Sequence, residues 1–150
     1  MASITVSAGQ LLVNSGGMLV LTGGGQTVSS VAATGSDTIT VSSGGLVSGL
    51  SIGSGTITVR AGGVTSNITV GSGGQENLAT GGKAFATTVS SGGTLNAPNN
   101  AVVSGLTVQS GGRLYLPSGG GEVLSGSINV ASGAQIELSG SGWHVAARAC

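Results

Sequence analysis

Short stretches in which apolar and polar residues alternate run along most of the chain, and many end at a Gly-Gly pair. A period of two places the apolar side chains of a stretch on one face of a β-strand. β-Branched residues are frequent throughout, as is usual in strands. No segment combines an N-cap with a helical apolar period, so we predict short strands and essentially no α-helix. The apolar pairs are Leu11/Val13, Leu19/Leu21, Ile39/Val41, Ile57/Val59, Ile68/Val70, Leu106/Val108 and Leu114/Leu116.

These stretches recur with a period of nineteen residues. The second small residue of each turn forms one series, and a second series with the same period lies eight residues behind it. Each repeat therefore holds a block of eight residues and a block of about eleven. The first series is Gly17, Ser36 as a degenerate member, Gly55, Gly74, Gly93 and Gly112, and the second is Gly44 or Gly45, Gly63, Gly82, Ala101 and Gly120.

The longer block has room for a third short side before its main strand. Repeated blocks stay aligned when each coil lies directly over the previous one, whereas hairpins in a sandwich would not keep so strict a period. The predicted fold is an all-β, single-stranded parallel β-helix (β-solenoid), right-handed by crossover chirality and three-sided, with about seven coils of 19 residues in residues 1–142. Residues 143–150 form a C-terminal tail. The third side is marked by Val28, Val47, Phe85, Val103 and Val123.

Composition supports a folded chain and argues against several partners. Glycine supplies 31 positions, hydrophobic residues make up 39%, charged residues make up 5%, and the net charge is zero. Disordered chains usually combine low hydrophobicity with high net charge, so this glycine-rich chain should fold. Four basic residues are too few to neutralise several phosphates, which excludes nucleic acid as an expected partner. No apolar stretch reaches the roughly 18 residues of a membrane span, and the segment after Met1 does not have the pattern of a signal peptide.

One sequence motif suggests catalysis, but its context does not support it. Gly49-Leu-Ser51-Ile-Gly53 matches the nucleophile-elbow pattern G-x-S-x-G. That motif requires a strand, a turn and a helix, whereas Ser51 is predicted to lie in mid-strand between inward Leu50 and Ile52. The single histidine, His144, lies in the tail.

Other catalytic and metal-binding patterns are also missing. The four acids fall in different blocks, and no two have the arrangement that glycoside hydrolysis requires. Asp37 is the only aspartate, although calcium-binding nonapeptide repeats need many, and Cys150 is the only cysteine. We therefore predict that the chain is not an enzyme and has no cofactor or metal site.

Glu76 interrupts the apolar pattern, because it occupies the column held by Ile57, Leu95 and Leu114. A lone buried carboxylate is costly, or else it takes up a proton. The preferred interpretation is a local bulge that turns Glu76 outward, with burial of a neutral carboxyl as the alternative.

The corners of the repeat resemble the AIDA-type stalk repeats of bacterial autotransporter adhesins, and the resemblance covers about residues 3–142. It implies a passenger β-helix that is extracellular or on the bacterial cell surface, although the signal sequence and translocator barrel of that family are not in this chain. That absence implies either a fragment or a different export route. The resemblance also implies O-glycosylation with heptose by a dedicated glycosyltransferase, which the motif places at Ser15, Ser43, Ser91 and Ser110. The matching corners are Val13-Asn-Ser-Gly-Gly17, Val41-Ser-Ser-Gly-Gly45, Val89-Ser-Ser-Gly-Gly93 and Val108-Gln-Ser-Gly-Gly112.

The leading functional hypothesis is a non-enzymatic surface-display or adhesin stalk segment, a stiff rod with a host or cell-surface ligand as a candidate partner. The alternative is self-assembly, because strand-like sequence begins by Ile4 without a polar or helical cap, and an open edge invites another chain. End-to-end stacking of coils between copies would then give filaments. A strictly monomeric species in concentration-dependent sedimentation would exclude that alternative.

Overall fold

A computed structural model confirms the all-β fold. It describes residues 37–117 and 123–139, together with the backbone of five earlier strands between residues 3 and 33. Every regular element among these residues is a β-strand, and every strand pair is parallel. The described residues include no helix with the length and hydropathy needed to cross a membrane.

The described strands, numbered β1 to β21 along the chain, form three parallel sheets that we call sheets 1, 2 and 3. Sheet 1 has eight strands: β1 (Ser3–Ile4), β3 (Met18–Leu21), β6 (Thr38–Val41), β9 (Thr56–Val59), β12 (Gln75–Leu78), β15 (Thr94–Asn96), β18 (Arg113–Leu116) and β21 (Gln135–Leu138). Sheet 2 has six: β4 (Thr27–Ser29), β7 (Leu46–Ser48), β10 (Val64–Ser66), β13 (Lys83–Phe85), β16 (Val102–Ser104) and β19 (Val123–Ser125). Sheet 3 has seven: β2 (Leu12–Val13), β5 (Ala32–Ala33), β8 (Ser51–Ile52), β11 (Thr69–Val70), β14 (Thr88–Val89), β17 (Thr107–Val108) and β20 (Asn129–Val130).

Each coil contributes one strand to each sheet, in the order sheet 2, sheet 3, sheet 1, so the winding has three sides as predicted. Within a sheet, each strand pairs with the equivalent strand of the next coil. We call the turns corner 1 (sheet 1 to sheet 2), corner 2 (sheet 2 to sheet 3) and corner 3 (sheet 3 to sheet 1). The hand of the winding stays a prediction.

The nineteen-residue period is confirmed for the central coils, where Thr56 pairs with Gln75 and Gln75 pairs with Thr94. The preceding interval is one residue shorter, because Thr38 pairs with Thr56. As a result, Asp37 occupies the position before β6 that Gly55 occupies before β9. The expected place of Ser36 in the glycine series was therefore wrong. The shortening lies in corner 3 at residues 53–55, because Ala33 and Ile52 still pair at an interval of nineteen residues, whereas Thr38 and Thr56 pair at eighteen.

The number of coils is slightly lower than expected. Residues 37–139 make about five turns, whereas a uniform nineteen-residue division of residues 1–142 predicted about seven. The winding is not uniform: Arg113 pairs with Gln135, an interval of twenty-two residues. The division at residue 142 lies outside the described residues and stays a prediction.

The core is a continuous column of aliphatic side chains inside the coils. The apolar pairs predicted within residues 37–117 are buried, among them Ile57 and Val59 at 0% exposure. On sheet 2, Val47 and Val103 face inward as expected. In β13, however, Ala84 is the buried residue and Phe85 is 37% exposed. Alternation along a strand explains the difference, because Ala84 rather than Phe85 is in register with Val103.

Glycine at the corners is required for two separate reasons, which Gly92 and Gly93 illustrate. Gly92 has a φ of 77°, a conformation that costs other residues strain. Gly93 has no positive φ, but a Cβ there would lie 2.4 Å from the carbonyl oxygen of Val70 in the coil below. Close stacking of coils therefore leaves no room for a side chain at Gly93, the residue immediately before its sheet 1 strand.

Candidate functional site

The serines of corner 3 form an exposed row along the rod. Ser91 and Ser110, two of the predicted glycosylation sites, are both exposed at this corner. The register of the preceding strands aligns them with each other and with Ser72 and Ser132. Ser72 and Ser132 are also exposed. The row offers hydroxyl groups at the spacing of the coils, about 4.8 Å for each step.

Ser43 lies on a different edge of the rod. It is exposed at corner 1, where a Cβ added to Gly62 of the next coil would meet its side chain. The equivalent residue of the next coil is Ala61 rather than a serine. The structure therefore separates Ser43 from the row that contains Ser91 and Ser110. Ser15 lies outside the described residues.

The G-x-S-x-G motif lies in a strand rather than at a nucleophile elbow. Ser51 belongs to β8 and is exposed, and its neighbours Leu50 and Ile52 are buried. No helix follows this strand in the described part of the chain, so the strand-to-helix turn that would project a nucleophile is missing. His144 lies outside the described residues.

The outer face of sheet 1 carries polar ladders. The Asn96 side chain donates a hydrogen bond to the side-chain oxygen of Asn77 in the preceding coil. Arg113 forms an ion pair with Glu137, and its guanidinium lies 5.9 Å from the ring centre of Tyr115. The Asn96–Asn77 hydrogen bond and the Arg113–Glu137 ion pair join adjacent coils on the outside of the rod. Both members of the Arg113 pair are about half exposed, so the pair contributes little stability.

No group of three or more His, Cys, Asp and Glu side chains close enough to hold a metal ion is found within residues 37–117, residues 123–139 and the earlier strands.

Glu76 is buried, so the preferred interpretation as an outward bulge was wrong. β12 pairs residue for residue with β9 on one side and β15 on the other, which places Glu76 between Ile57 and Leu95. Its side chain is 0% exposed. A bulge would have interrupted this register, and none is present.

Two buried threonines make the position tolerable for a carboxyl group. Thr65 Oγ1 lies 2.7 Å from Glu76 Oε1, and Thr87 Oγ1 lies 3.1 Å from Oε2. Thr65 comes from sheet 2 of the same coil, and Thr87 precedes the sheet 3 strand of the next coil. We call these three residues the Glu76 cluster. Desolvation by burial raises the pKa of Glu76 from 4.5 to about 7, while the hydrogen bonds from Thr65 and Thr87 act in the opposite direction.

The repeat pattern held a signal for this cluster that sequence reasoning missed. Thr65 stands in the inward column of Val47 and Val103. Thr87 stands in the buried column that also contains Ile68 and Leu106. In each of these two columns, a threonine occupies the position close to Glu76, where other coils have an aliphatic residue. Examining all three inward columns together would have indicated a hydrogen-bonded carboxyl group.

The last described coil exposes part of its apolar interior. Leu124, Val130 and Ile136 are 38%, 44% and 48% exposed. Their equivalents one coil earlier, which include Val103 and Leu114, are buried. End-to-end association between copies stays a prediction.

A search of solved structures found a similar fold in the crystal structure of a TibA fragment that is hyper-glycosylated in a TibC-catalysed reaction. The TM-score is 0.58 and the sequence identity is 24%, and the match covers 87% of this chain. The chain spans 60% of the length of the TibA fragment. At this identity the similarity concerns the fold. No protein-family model matches the sequence, and a search of curated proteins found no match.

Proposed function

We propose that this chain is a non-enzymatic structural rod, a stalk segment that holds another part of a bacterial surface protein away from the cell. The observation that carries this proposal is the unbroken parallel ladder on all three sides of the coil through the described central region. Each coil there is hydrogen-bonded to the coils before and after it. Such a stack resists bending, because bending has to strain ladder bonds on at least one side.

The corner sequences and the fold support membership of the AIDA-type stalk group. The Val-x-Ser-Gly-Gly corners at residues 89–93 and 108–112 are both corner 3 turns, and the glycines meet the steric demands of that turn. The TibA fragment shares the fold. A stalk of this group works outside the cell, and its mechanism is mechanical rather than catalytic.

Stiffness can be measured as a distance between two labelled positions. Ser48 and Ser125 lie in one outward column of sheet 2, separated by four ladder steps. With spin labels on Ser48→Cys and Ser125→Cys in a Cys150→Ser background, we expect a backbone separation of about 19 Å, from steps of ~4.8 Å. Pulsed electron paramagnetic resonance should give a narrow distribution around the distance set by this separation and the label linkers. A broad distribution would contradict a stiff rod.

We further propose that exposed corner serines are O-glycosylated by a partner glycosyltransferase. Ser91 and Ser110 in the corner 3 row and Ser43 at corner 1 are accessible to such an enzyme. The hyper-glycosylation of the TibA fragment by TibC supports this proposal. A sugar on these hydroxyls projects into solvent and displaces no core residue.

Incubation with TibC and its sugar donor tests the serine proposal. Intact-mass spectrometry of the wild-type chain should show added sugar masses, and the triple variant Ser43→Ala/Ser91→Ala/Ser110→Ala should show at least three fewer. The matched control replaces three half-buried serines of sheet 2 and should keep the wild-type pattern. Equal modification of the wild-type chain and the corner variant would refute these sites. The control substitutions are Ser48→Ala, Ser66→Ala and Ser104→Ala.

A further inference from the structure

At one position along its axis, the interior of the rod contains a group of polar side chains. Four polar or charged residues are buried among the described residues, and three of them form the Glu76 cluster. Thr65 and Glu76 belong to the coil of β10 to β12, whereas Thr87 belongs to the coil of β13 to β15. The hydrogen bond between Thr87 and Glu76 therefore crosses the boundary between two coils.

We propose that the Glu76 cluster is a protonation-controlled joint in the rod: the neutral carboxyl ties these two coils together, and loss of its proton lets them open locally. The proposal goes beyond the stalk function, because it depends on the core of the rod and not on what the rod displays.

The neutral carboxyl group uses every hydroxyl hydrogen in the cluster. Its O–H can donate to Thr65 Oγ1 across the 2.7 Å separation from Oε1. Thr65 is then free to donate to the backbone carbonyl of Lys83 in the next coil, which lies 3.3 Å from its Oγ1. Thr87 donates to the other carboxyl oxygen. Two of these contacts cross the coil boundary, so the neutral cluster joins the two coils.

The ionised carboxylate loses part of this arrangement. Both threonine hydroxyls must donate to the charge, so Thr65 can no longer donate to the Lys83 carbonyl. The buried carboxylate also has no cation to balance it. Partial compensation by two hydroxyls leaves most of the cost of desolvation in place, and opening to water removes that cost.

No other titratable side chain among the described residues faces Glu76. The flanking residues of sheet 1 are Ile57 and Leu95, and the inward residue of β13 is Ala84. The basic side chains of Arg60, Lys83 and Arg113 are on the exposed surface, as is the acidic Glu137. Asp37 is buried immediately before β6, two coils away along sheet 1. The charge state of the joint therefore depends on Glu76 itself.

A solenoid can open at one level without unfolding elsewhere, because each coil contacts only its neighbours. Burial raises the pKa of Glu76 to about 7 from 4.5. The folded coil then binds the proton more tightly than the open coil. The closed state of the joint is most stable relative to the open state below pH 4.5, and this stability falls as the pH rises from 4.5 to about 7. Above that range both states are ionised and the closure no longer changes with pH.

Amide hydrogen exchange at single residues tests the joint. The Lys83 amide donates to the Gly63 carbonyl and the Thr88 amide donates to the Ile68 carbonyl, so both report on this coil boundary. After correction for intrinsic exchange, their opening equilibrium should increase on the order of 50-fold between pH 5 and pH 8. The Arg60 amide, which donates to Val41 across a different boundary, should change much less.

Glu76→Gln is the matched variant, since its neutral amide has the same shape and can donate to Thr65 and accept from Thr87. We expect the pH response of Lys83 and Thr88 to disappear in this variant. An equal response in the variant, or the same response at Arg60, would overturn the proposal. If the variant does not fold, carboxyl carbon chemical shifts of the wild-type chain decide: titration of Glu76 above pH 6 supports the joint, and titration near 4.5 overturns it.

Discussion

Leu114→Ala is expected to lower the free energy of unfolding of the rod by about 3 kcal/mol, the usual cost of truncating a buried leucine. Leu114 is 1% exposed and stands in the inward column of sheet 1 between Leu95 and Ile136. The coils above and below are fixed by ladder bonds, so they cannot collapse fully into the space that the side chain leaves. Denaturant unfolding followed by circular dichroism measures the change.

Leu46→Ala is the matched control because it makes the same chemical change on the outside of the rod. Leu46 is in β7, half-buried on the face opposite to buried Val47. We expect a loss of at most about 1 kcal/mol, since less apolar area leaves the protein interior. Similar losses at Leu46 and Leu114 would mean that the two faces of the strands are not distinguished, which contradicts the solenoid.

Much of this fold could be predicted because its signals are local and repeated. The alternation in Ile57-Thr-Val59 fixes which side chains face inward, and the nineteen-residue period fixes which residues stack. Glycine at the corners follows from the same geometry, since the coil below leaves no room for a Cβ at Gly93. The same pattern recurs in every coil, so one position that departs from it does not obscure the period.

The features that escaped prediction are those in which one coil differs from the others. The one-residue shortening at residues 53–55 moves Asp37 into the glycine column, and a fixed period does not reveal such a shift. In β13 the small Ala84 faces inward beside the larger Phe85, so hydrophobicity alone selects the wrong residue. The burial of Glu76 could be predicted only from its neighbours in three dimensions, because Thr65 and Thr87 make that burial possible.

The candidate modification sites show the same limit. The corner motif selects Ser43, Ser91 and Ser110 alike, because the local sequences are similar. The winding then places Ser43 on corner 1 and the other two on corner 3. A sequence motif identifies a type of turn, whereas the edge of the rod on which that turn lies depends on the path of the whole coil.

A deletion of two complete coils should be tolerated, while a shorter deletion out of register should not. Removing residues 56–93, two intervals of nineteen, joins Gly55 to Thr94, which is equivalent to Thr56 in the stack. The new strand can pair with β6 below and β18 above, and its residue Leu95 takes the place of Ile57. Removing residues 56–84 instead joins corner 3 to Phe85 in a sheet 2 strand. Every later apolar column is then displaced from the coils that precede the junction.

Thermal unfolding of these two deletion variants, followed by far-ultraviolet circular dichroism, tests the stacking of coils most directly. We predict a β-type spectrum and a cooperative transition for the longer, in-register deletion, and loss of the cooperative transition for the shorter one. Equal stability of the two variants, or greater stability of the out-of-register variant, would contradict a solenoid whose coils stack column on column.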